Sequence, residues 1–144
     1  GCGLAESTAA VLPVLAARFE EWGFVTLDLC EISLFTGAAT LLKYGAAPGF
    51  LIREGRLTRL EARALPAGLE PMEGDAPTIQ LRLQAGDRLV LLSDGVWESE
   101  ETQSLLRDSA QTEGQQLANL LVEQSVHRGS NDDMTVLVVD LFDA

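Results

Sequence analysis

The chain has 144 residues, of which 47% are hydrophobic, so we expect a single domain with a buried core. Its 22 acidic residues outnumber the 10 basic ones and give a net charge of −12. That charge repels the phosphates of nucleic acids and of anionic membrane surfaces, which disfavours nucleic acid as a partner. The two cysteines, Cys2 and Cys30, form no disulfide framework, which favours a reducing, cytoplasmic location. No stretch reaches the ~18 apolar residues of a membrane span, so we expect no membrane segment in this chain.

The first half of the chain is predicted to contain one helix followed by strands. Apolar residues recur at helical spacing from Ser7 to Trp22, and Pro13 either kinks this helix or belongs to its first turn. The stretch "FVTLDLCEISLF" (24–35) is rich in β-branched and aromatic residues, which indicates a largely buried strand. Further strands follow, and Glu54–Gly55 matches the turn of a hairpin.

The second half alternates strands with helices. "RLVLLS" (88–93) is a nearly continuous apolar run, which is typical of a central strand. Thr112 and Gln115 match the capping box of a helix that ends near His127 and Gly129. "MTVLVVDLF" (134–142) indicates a last strand. This order predicts an α+β fold in a single domain, 1–144, with a helix in 1–22, antiparallel strands in 23–93, a helical segment in 94–130 and the last strand in 131–144.

Two aspartates stand at the ends of predicted strands. Asp94 follows one buried strand and Asp132 precedes another, so antiparallel pairing would bring both carboxylates to the same end of one sheet. Two such charges would force one group to bind a proton unless a cation lay between them. Oxygen ligands favour Mg²⁺ or Mn²⁺, and Gly95 would allow a sharp turn and the close approach of a ligand. Asp-Gly after a strand and Asn-Asp-Asp before a strand are also ordinary turns, so spacing alone leaves both interpretations open.

Several separated motifs narrow this choice. In chain order they are "FVTLDLCEISLFTGAATLLKYGAAPGFLIREGRL", "LPAGL", "LQAGDRLVLLSDGVWES" and "NDDMTVLVV". From about Phe24 to Leu141 they resemble the C-terminal part of the metal-dependent serine/threonine protein phosphatases of the 2C type, within them the bacterial stage II sporulation protein E branch. The resemblance implies a layered antiparallel β-sandwich flanked by helices, with two Mn²⁺ or Mg²⁺ ions at one edge. It also implies that a metal-activated water attacks the phosphorus of phosphoserine or phosphothreonine, with no covalent phosphoenzyme.

The resemblance carries over to particular residues. Asp94 matches the metal-binding aspartate of "SDG", Asp132 matches that of the last motif, and Asp133 occupies the next place, where relatives can carry asparagine. Gly95 would support the turn and Asn131 would orient the ligand loop. No catalytic group beyond these metal ligands is implied. The implied substrate is a phosphoprotein of the anti-anti-sigma type, in sporulation and sigma-factor regulation.

One family motif has no counterpart in the chain. An earlier Asp-Gly, whose aspartate bridges both metals in the family, is missing, and "GCG" at 1–3 offers no carboxylate. We therefore expect an N-terminally truncated or degenerate member that is inactive in this form, with doubtful metal occupancy and a sheet edge open to homodimer formation. The alternatives are a non-catalytic protein-interaction module that retains the phosphatase fold, and a domain that binds one divalent ion for stability alone.

Two other ionisable residues favour structural roles. Asp28 lies in the middle of a predicted buried strand and needs a partner, so we expect a structural hydrogen bond or a position at a sheet edge rather than a catalytic role. His127 near a predicted helix end is explained by the helix dipole.

Overall fold

The computed structural model describes residues 3–18, 23–67, 69, 78–96 and 98–143. The chain divides into two compact units, Gly1–Ala46 with Glu61–Arg82, and Ala47–Leu60 with Leu83–Ala144. The single-domain organisation over 1–144 stays a prediction. The elements in chain order are α1 (Leu4–Arg18), β1 (Leu27–Ile32), β2 (Ala38–Tyr44), β3 (Gly49–Arg53), β4 (Arg56–Leu60), β5 (Thr78–Arg82), β6 (Arg88–Leu92), α2 (Glu100–Arg107), a 3₁₀ turn (Asp108–Gln111), α3 (Gly114–His127) and β7 (Val136–Asp140).

The first unit packs α1 against an antiparallel sheet of order β1-β2-β5. Leu4 and Leu12 of α1 pack on a buried cluster that includes Leu42 and Tyr44 of β2. Pro13 lies inside the helix rather than in its first turn. The predicted helix extended to Trp22, which lies outside the described residues.

The hairpin between β1 and β2 ends the first strand earlier than its composition predicts. The predicted strand ran to Phe35, but β1 stops at Ile32, and Leu34 and Phe35 lie fully exposed in the turn. Gly37 closes this turn with φ +69, and its N–H donates to the Ser33 carbonyl at 2.8 Å. The predicted end of this strand, which rested on apolar character alone, was therefore wrong, because the left-handed Gly37 sets where the chain reverses.

The second unit holds a four-stranded antiparallel sheet of order β4-β3-β6-β7. The predicted central strand is confirmed, since β6 lies between β3 and β7. Side chains of this sheet form one buried cluster with the two helices that follow, namely Phe50, Ile52, Val90, Leu92, Val96, Leu106, Leu117 and Leu121. The helices α2 and α3 thus cover one face of the sheet, and the α+β class with antiparallel sheets is confirmed.

The predicted capping box of α3 is wrong, whereas its predicted end is right. The N-cap is Glu113, without a side-chain hydrogen bond, and Gln115 instead donates to Asn119 Oδ1 at 3.0 Å. The Thr112 carbonyl accepts from Arg88 Nη2 at 2.8 Å, so a tertiary contact fixes the chain before the helix. At the other end Gly129 has φ +88 and stops the helix after His127.

Candidate metal centre

The two predicted ligand loops lie at the same end of the second sheet. Strands β6 and β7 pair antiparallel, and their last register pair is Leu92 with Val136. The Ser93 N–H then donates to the Thr135 carbonyl at 3.0 Å, which extends the pairing by one residue. Asp94 follows β6 directly. The antiparallel pairing on which the sequence argument depended is therefore present.

Ser93 gives the Asp94 turn its shape. Its carbonyl accepts from the Val96 N–H at 3.1 Å, which closes a turn around Asp94 and Gly95. The Thr135 N–H would ordinarily find that carbonyl in an antiparallel pair, but it donates to Ser93 Oγ at 2.9 Å instead. The Ser93 hydroxyl also donates to the Asp133 carbonyl at 3.4 Å. One side chain thus replaces a backbone acceptor and frees the carbonyl for the turn.

Gly95 is required for a close approach between the loops. A Cβ on Gly95 would lie 2.4 Å from the Asp133 carbonyl oxygen and 3.1 Å from its carbon. The residue is buried, and its φ is not in the left-handed region. The role expected from the sequence was a sharp turn and the approach of a ligand. The structure instead shows close packing against the backbone of the Asp133 loop.

Ser130 ties the Asp94 turn to the end of α3. The helix ends in a Schellman motif, in which the Ser130 N–H donates to the Ser125 carbonyl at 3.0 Å and the Gly129 N–H to the Val126 carbonyl at 2.9 Å. This motif places Ser130 Oγ 2.7 Å from the Gly95 carbonyl, to which it donates. Asn131, which is exposed, was expected to orient the Asp132 ligand loop, and that role stays a prediction. The contact that secures the turn comes from its neighbour Ser130, and a polar residue directly after the helix-ending glycine was the available signal.

The carboxylates themselves face solvent. Asp94, Asp132 and Asp133 are all exposed, and Asp132 Oδ1 accepts from the Asp133 N–H at 2.9 Å. Within the part of the chain that the structure describes, no three His, Cys, Asp or Glu residues form a group that could hold a metal ion. Their oxygen donors fit Mg²⁺ or Mn²⁺ by chemistry. The described residues alone do not form a complete ligand set.

Charged pairs hold the segment that follows the turn. Arg59 on β4 donates two hydrogen bonds to Glu98, at 2.8 and 3.1 Å. These bonds raise the pKa of Arg59, and burial, which lowers that pKa, offsets them only in part. Ser99 caps α2 by accepting from the Thr102 N–H at 3.1 Å. In the first turn of α2, Glu101 Oε2 lies 2.7 Å from Arg128 Nη2. A backbone hydrogen bond and these neighbours lower the pKa of Glu101.

The two other ionisable residues have structural surroundings. Asp28 forms an ion pair with Lys43, its register partner on β2, whose side chain is fully buried. The second carboxylate oxygen, Asp28 Oδ1, is buried and has no hydrogen-bond partner among the described residues. His127 is the last residue of α3 and is exposed. Both residues therefore have the structural explanations expected from the sequence.

No helix among the described residues is long and apolar enough to span a membrane.

The comparisons with known proteins give one consistent result. Residues 2–142 match the profile of the family described as Stage II sporulation protein E (SpoIIE). Stage II sporulation protein E of Bacillus subtilis is 32% identical over 137 residues, covering 88% of this chain and 16% of that protein. The chain thus spans about a sixth of the length of this relative.

Two solved structures share the fold. The PP2C phosphatase domain of SpoIIE from Bacillus subtilis, solved with a fragment of its regulatory domain, is 27% identical, with a TM-score of 0.84 over 97% of this chain and 44% of that one. The catalytic domain of the Ser/Thr phosphatase PstP, in complex with two manganese ions, has a TM-score of 0.79 over 99% of this chain and 74% of that one. Its identity is 24%, which supports the fold alone. The resemblance seen in the sequence motifs is thereby confirmed. The chain belongs to the stage II sporulation protein E family and is homologous to the phosphatase domains of the 2C type.

Proposed function

We propose that this chain forms the metal-binding part of a phosphatase domain that hydrolyses phosphoserine or phosphothreonine on a protein. The observation that carries the proposal is the β6–β7 pairing, which brings the loops of Asp94 and Asp132 to one sheet end, with Gly95 packed on the Asp133 backbone. The chain covers 16% of its Bacillus relative, so the activity of a whole protein is part of the proposal.

The ligand assignment follows from the chemistry of these loops. Asp94, Asp132 and Asp133 offer exposed carboxylate oxygens, and Asn131 precedes Asp132 in its loop. Mn²⁺ or Mg²⁺ suits such donors, and a bound ion supplies a Lewis acid that lowers the pKa of its water. The chain carries a net charge of −12 and repels a phosphate group by itself. The carboxylates therefore act by holding positive charge where the phosphoryl group must approach.

We further propose that the 144 residues alone turn over substrate slowly. They contain one Asp-Gly pair, Asp94–Gly95, whereas the family resemblance implies a second one with a bridging aspartate. The three candidate carboxylates are too few to surround two ions. Each ion would keep more water ligands and bind more weakly than in a complete site.

The proposed substrate is a regulatory protein of the anti-anti-sigma type that carries phosphoserine. A cytoplasmic setting fits such a partner, and Cys30 is a free thiol. The outer strands β1 and β5 of one sheet, and β4 and β7 of the other, offer edges for a homodimer. Sedimentation at several protein concentrations tests self-association, and a monomer at all of them contradicts it.

The site is tested by calorimetric titration of Mn²⁺ into the chain and two variants. Asp94→Asn removes a proposed ligand, and Asp143→Asn removes an exposed carboxylate beyond the opposite end of β7. We expect measurable binding that is lost in Asp94→Asn and kept in Asp143→Asn. Equal binding by both variants would overturn the ligand assignment. Phosphate release from a phosphoserine peptide should stay near background, and rapid release abolished by Asp94→Asn would contradict the slow turnover while supporting the site.

A second candidate is a non-catalytic protein-interaction module that retains the phosphatase fold. The lack of a three-ligand group among the described residues favours it. This candidate predicts that the folded chain binds no Mn²⁺ at millimolar concentrations and still binds its partner protein. The phosphatase proposal predicts that partner binding responds to Mn²⁺ and to Asp94→Asn.

A further inference from the structure

Two serine hydroxyls link the Asp94 turn to its surroundings. Ser93 is the first residue of the "SDG" motif and Ser130 lies just before "NDDMT", but the resemblance assigns a role to neither serine. We propose that Ser93 and Ser130 are positioning residues that fix the Asp94 turn against the Asp132–Asp133 loop and so set the spacing of the carboxylates. The inference rests on the proposed function, because it concerns the same two loops. Neither serine is expected to touch the metal or the substrate.

Ser93 connects the two loops directly. Its Oγ accepts from the Thr135 N–H at 2.9 Å and donates to the Asp133 carbonyl at 3.4 Å. The Ser93 carbonyl accepts from the Val96 N–H within the turn, and the Thr135 N–H donates to Oγ instead of to that carbonyl. Because this region is exposed, water would satisfy the Thr135 N–H in an alanine variant. The variant should therefore remain folded while its two loops lose their fixed separation.

Ser130 anchors the turn to a rigid helix. Its position is set by the Schellman motif that ends α3, and α3 is held by the fully buried Leu117 and Leu121. The hydrogen bond from Ser130 Oγ to the Gly95 carbonyl measures 2.7 Å and is partly buried. Displacement of the turn thus requires breaking a bond to an element of the core.

The need for such anchors follows from charge. Asp94 lies on one loop and Asp132 and Asp133 on the other, so the loops repel each other when no cation is bound. The two hydroxyls bind backbone groups rather than carboxylates, so they hold the loops together without consuming ligand oxygens. A site kept in place before the cation arrives loses less conformational freedom on binding.

The test compares Ser93→Ala and Ser130→Ala with Ser104→Ala. Ser104 is exposed on α2, and its hydroxyl makes a long hydrogen bond of 3.4 Å to Asp108 Oδ2. It therefore offers a matched control. In calorimetric titrations of the full chain with Mn²⁺, the first two variants should bind about 10- to 100-fold more weakly and the control should be unchanged. Ser93→Thr and Ser130→Thr keep the hydroxyl and should restore most of the affinity, which a merely space-filling role would not explain. Unchanged affinity in both alanine variants would overturn the inference and leave the metal site standing.

A metal-free measurement separates this inference from the proposed function. In hydrogen exchange without metal, the Thr135 amide should exchange faster in Ser93→Ala, and the Val96 amide faster in Ser130→Ala, than in Ser104→Ala. If the unmodified chain binds no Mn²⁺, the metal proposal fails, and the exchange data alone decide this inference. Faster exchange then supports the loop link, and exchange equal to that of Ser104→Ala overturns it.

Discussion

Replacement of Gly95 by alanine tests the close packing of the two loops most sharply. The added Cβ would lie 2.4 Å from the Asp133 carbonyl oxygen and 3.0 Å from Met134 Cγ. The backbone of Asp133 must retreat by about 1 Å to reach an ordinary contact, since no rotation of a side chain can relieve a clash with backbone. Such overpacking costs about 1–3 kcal/mol, and the lower entropy of the unfolded alanine variant returns about 0.4–1 kcal/mol. We therefore expect a net loss of about 1–2 kcal/mol.

The assay is urea denaturation of Gly95→Ala beside Gly114→Ala. The added Cβ of Gly114→Ala would meet only side-chain atoms, Asp140 Oδ2 at 3.1 Å and Val138 Cγ1 at 3.3 Å, and alanine favours a helix by about 1 kcal/mol. This control should lie near the unmodified chain in stability and in Mn²⁺ affinity, whereas Gly95→Ala should bind at least about 10-fold more weakly. The reasoning is refuted if Gly95→Ala matches the control in both measurements.

Three further predictions concern ion pairs that each lie within one of the two units. Arg88→Met removes the hydrogen bonds to Asp140 and to the Ser109 and Thr112 carbonyls. It should lower the free energy of unfolding, measured by urea denaturation, by about 3 kcal/mol, and a loss below about 1 kcal/mol would contradict this. Burial opposes ionisation of Asp87, but Arg53 and the Gln84 N–H outweigh it and lower its pKa. The stability from Asp87 is therefore full above about pH 4 and is lost as the pH falls through the lowered pKa, so the difference in unfolding free energy between Asp87→Asn and the unmodified chain should shrink as the pH falls below about 4. A difference that stays constant below that pH would contradict this. Lys43→Met should cost about 3 kcal/mol because it leaves the partly buried Asp28, whose Oδ1 is buried, without its cation. Lys43→Met with Asp28→Leu should cost much less by thermal denaturation, and equal losses in the two would contradict the pairing.

The central strand of the second sheet was predictable from the sequence because a strand buried on both faces is apolar at nearly every position. The run 88–93 is apolar at nearly every position, and it forms the central strand β6. The placement of Asp94 and Asp132 at one sheet end followed from that run and from the apolar run before residue 142. Antiparallel pairing of neighbouring strands then leaves no other arrangement of the two loops.

The contacts that refine the site depend on tertiary geometry. The roles of Ser93 and Ser130 depend on which backbone groups remain free after the strands pair and after α3 ends; the sequence offers a signal only for Ser130, which follows the helix-ending Gly129. The predicted capping box failed for a similar reason, because Arg88, 24 residues before Thr112, holds the Thr112 carbonyl. Asp28 was expected to need a partner, but Lys43 became identifiable only from the β1–β2 register.

The central claim is that the Asp94 turn and the Asp132–Asp133 loop together hold a divalent cation. Titration of substoichiometric Mn²⁺ into the ¹⁵N-labelled chain tests it most directly, because the paramagnetic ion broadens the amide signals nearest to it. We expect the signals of residues 94–96 and 131–135 to broaden first, and we expect Asp94→Asn to remove this selectivity while Asp143→Asn keeps it. Broadening that is spread over the acidic surface, or centred on α2 or α3, would contradict the account.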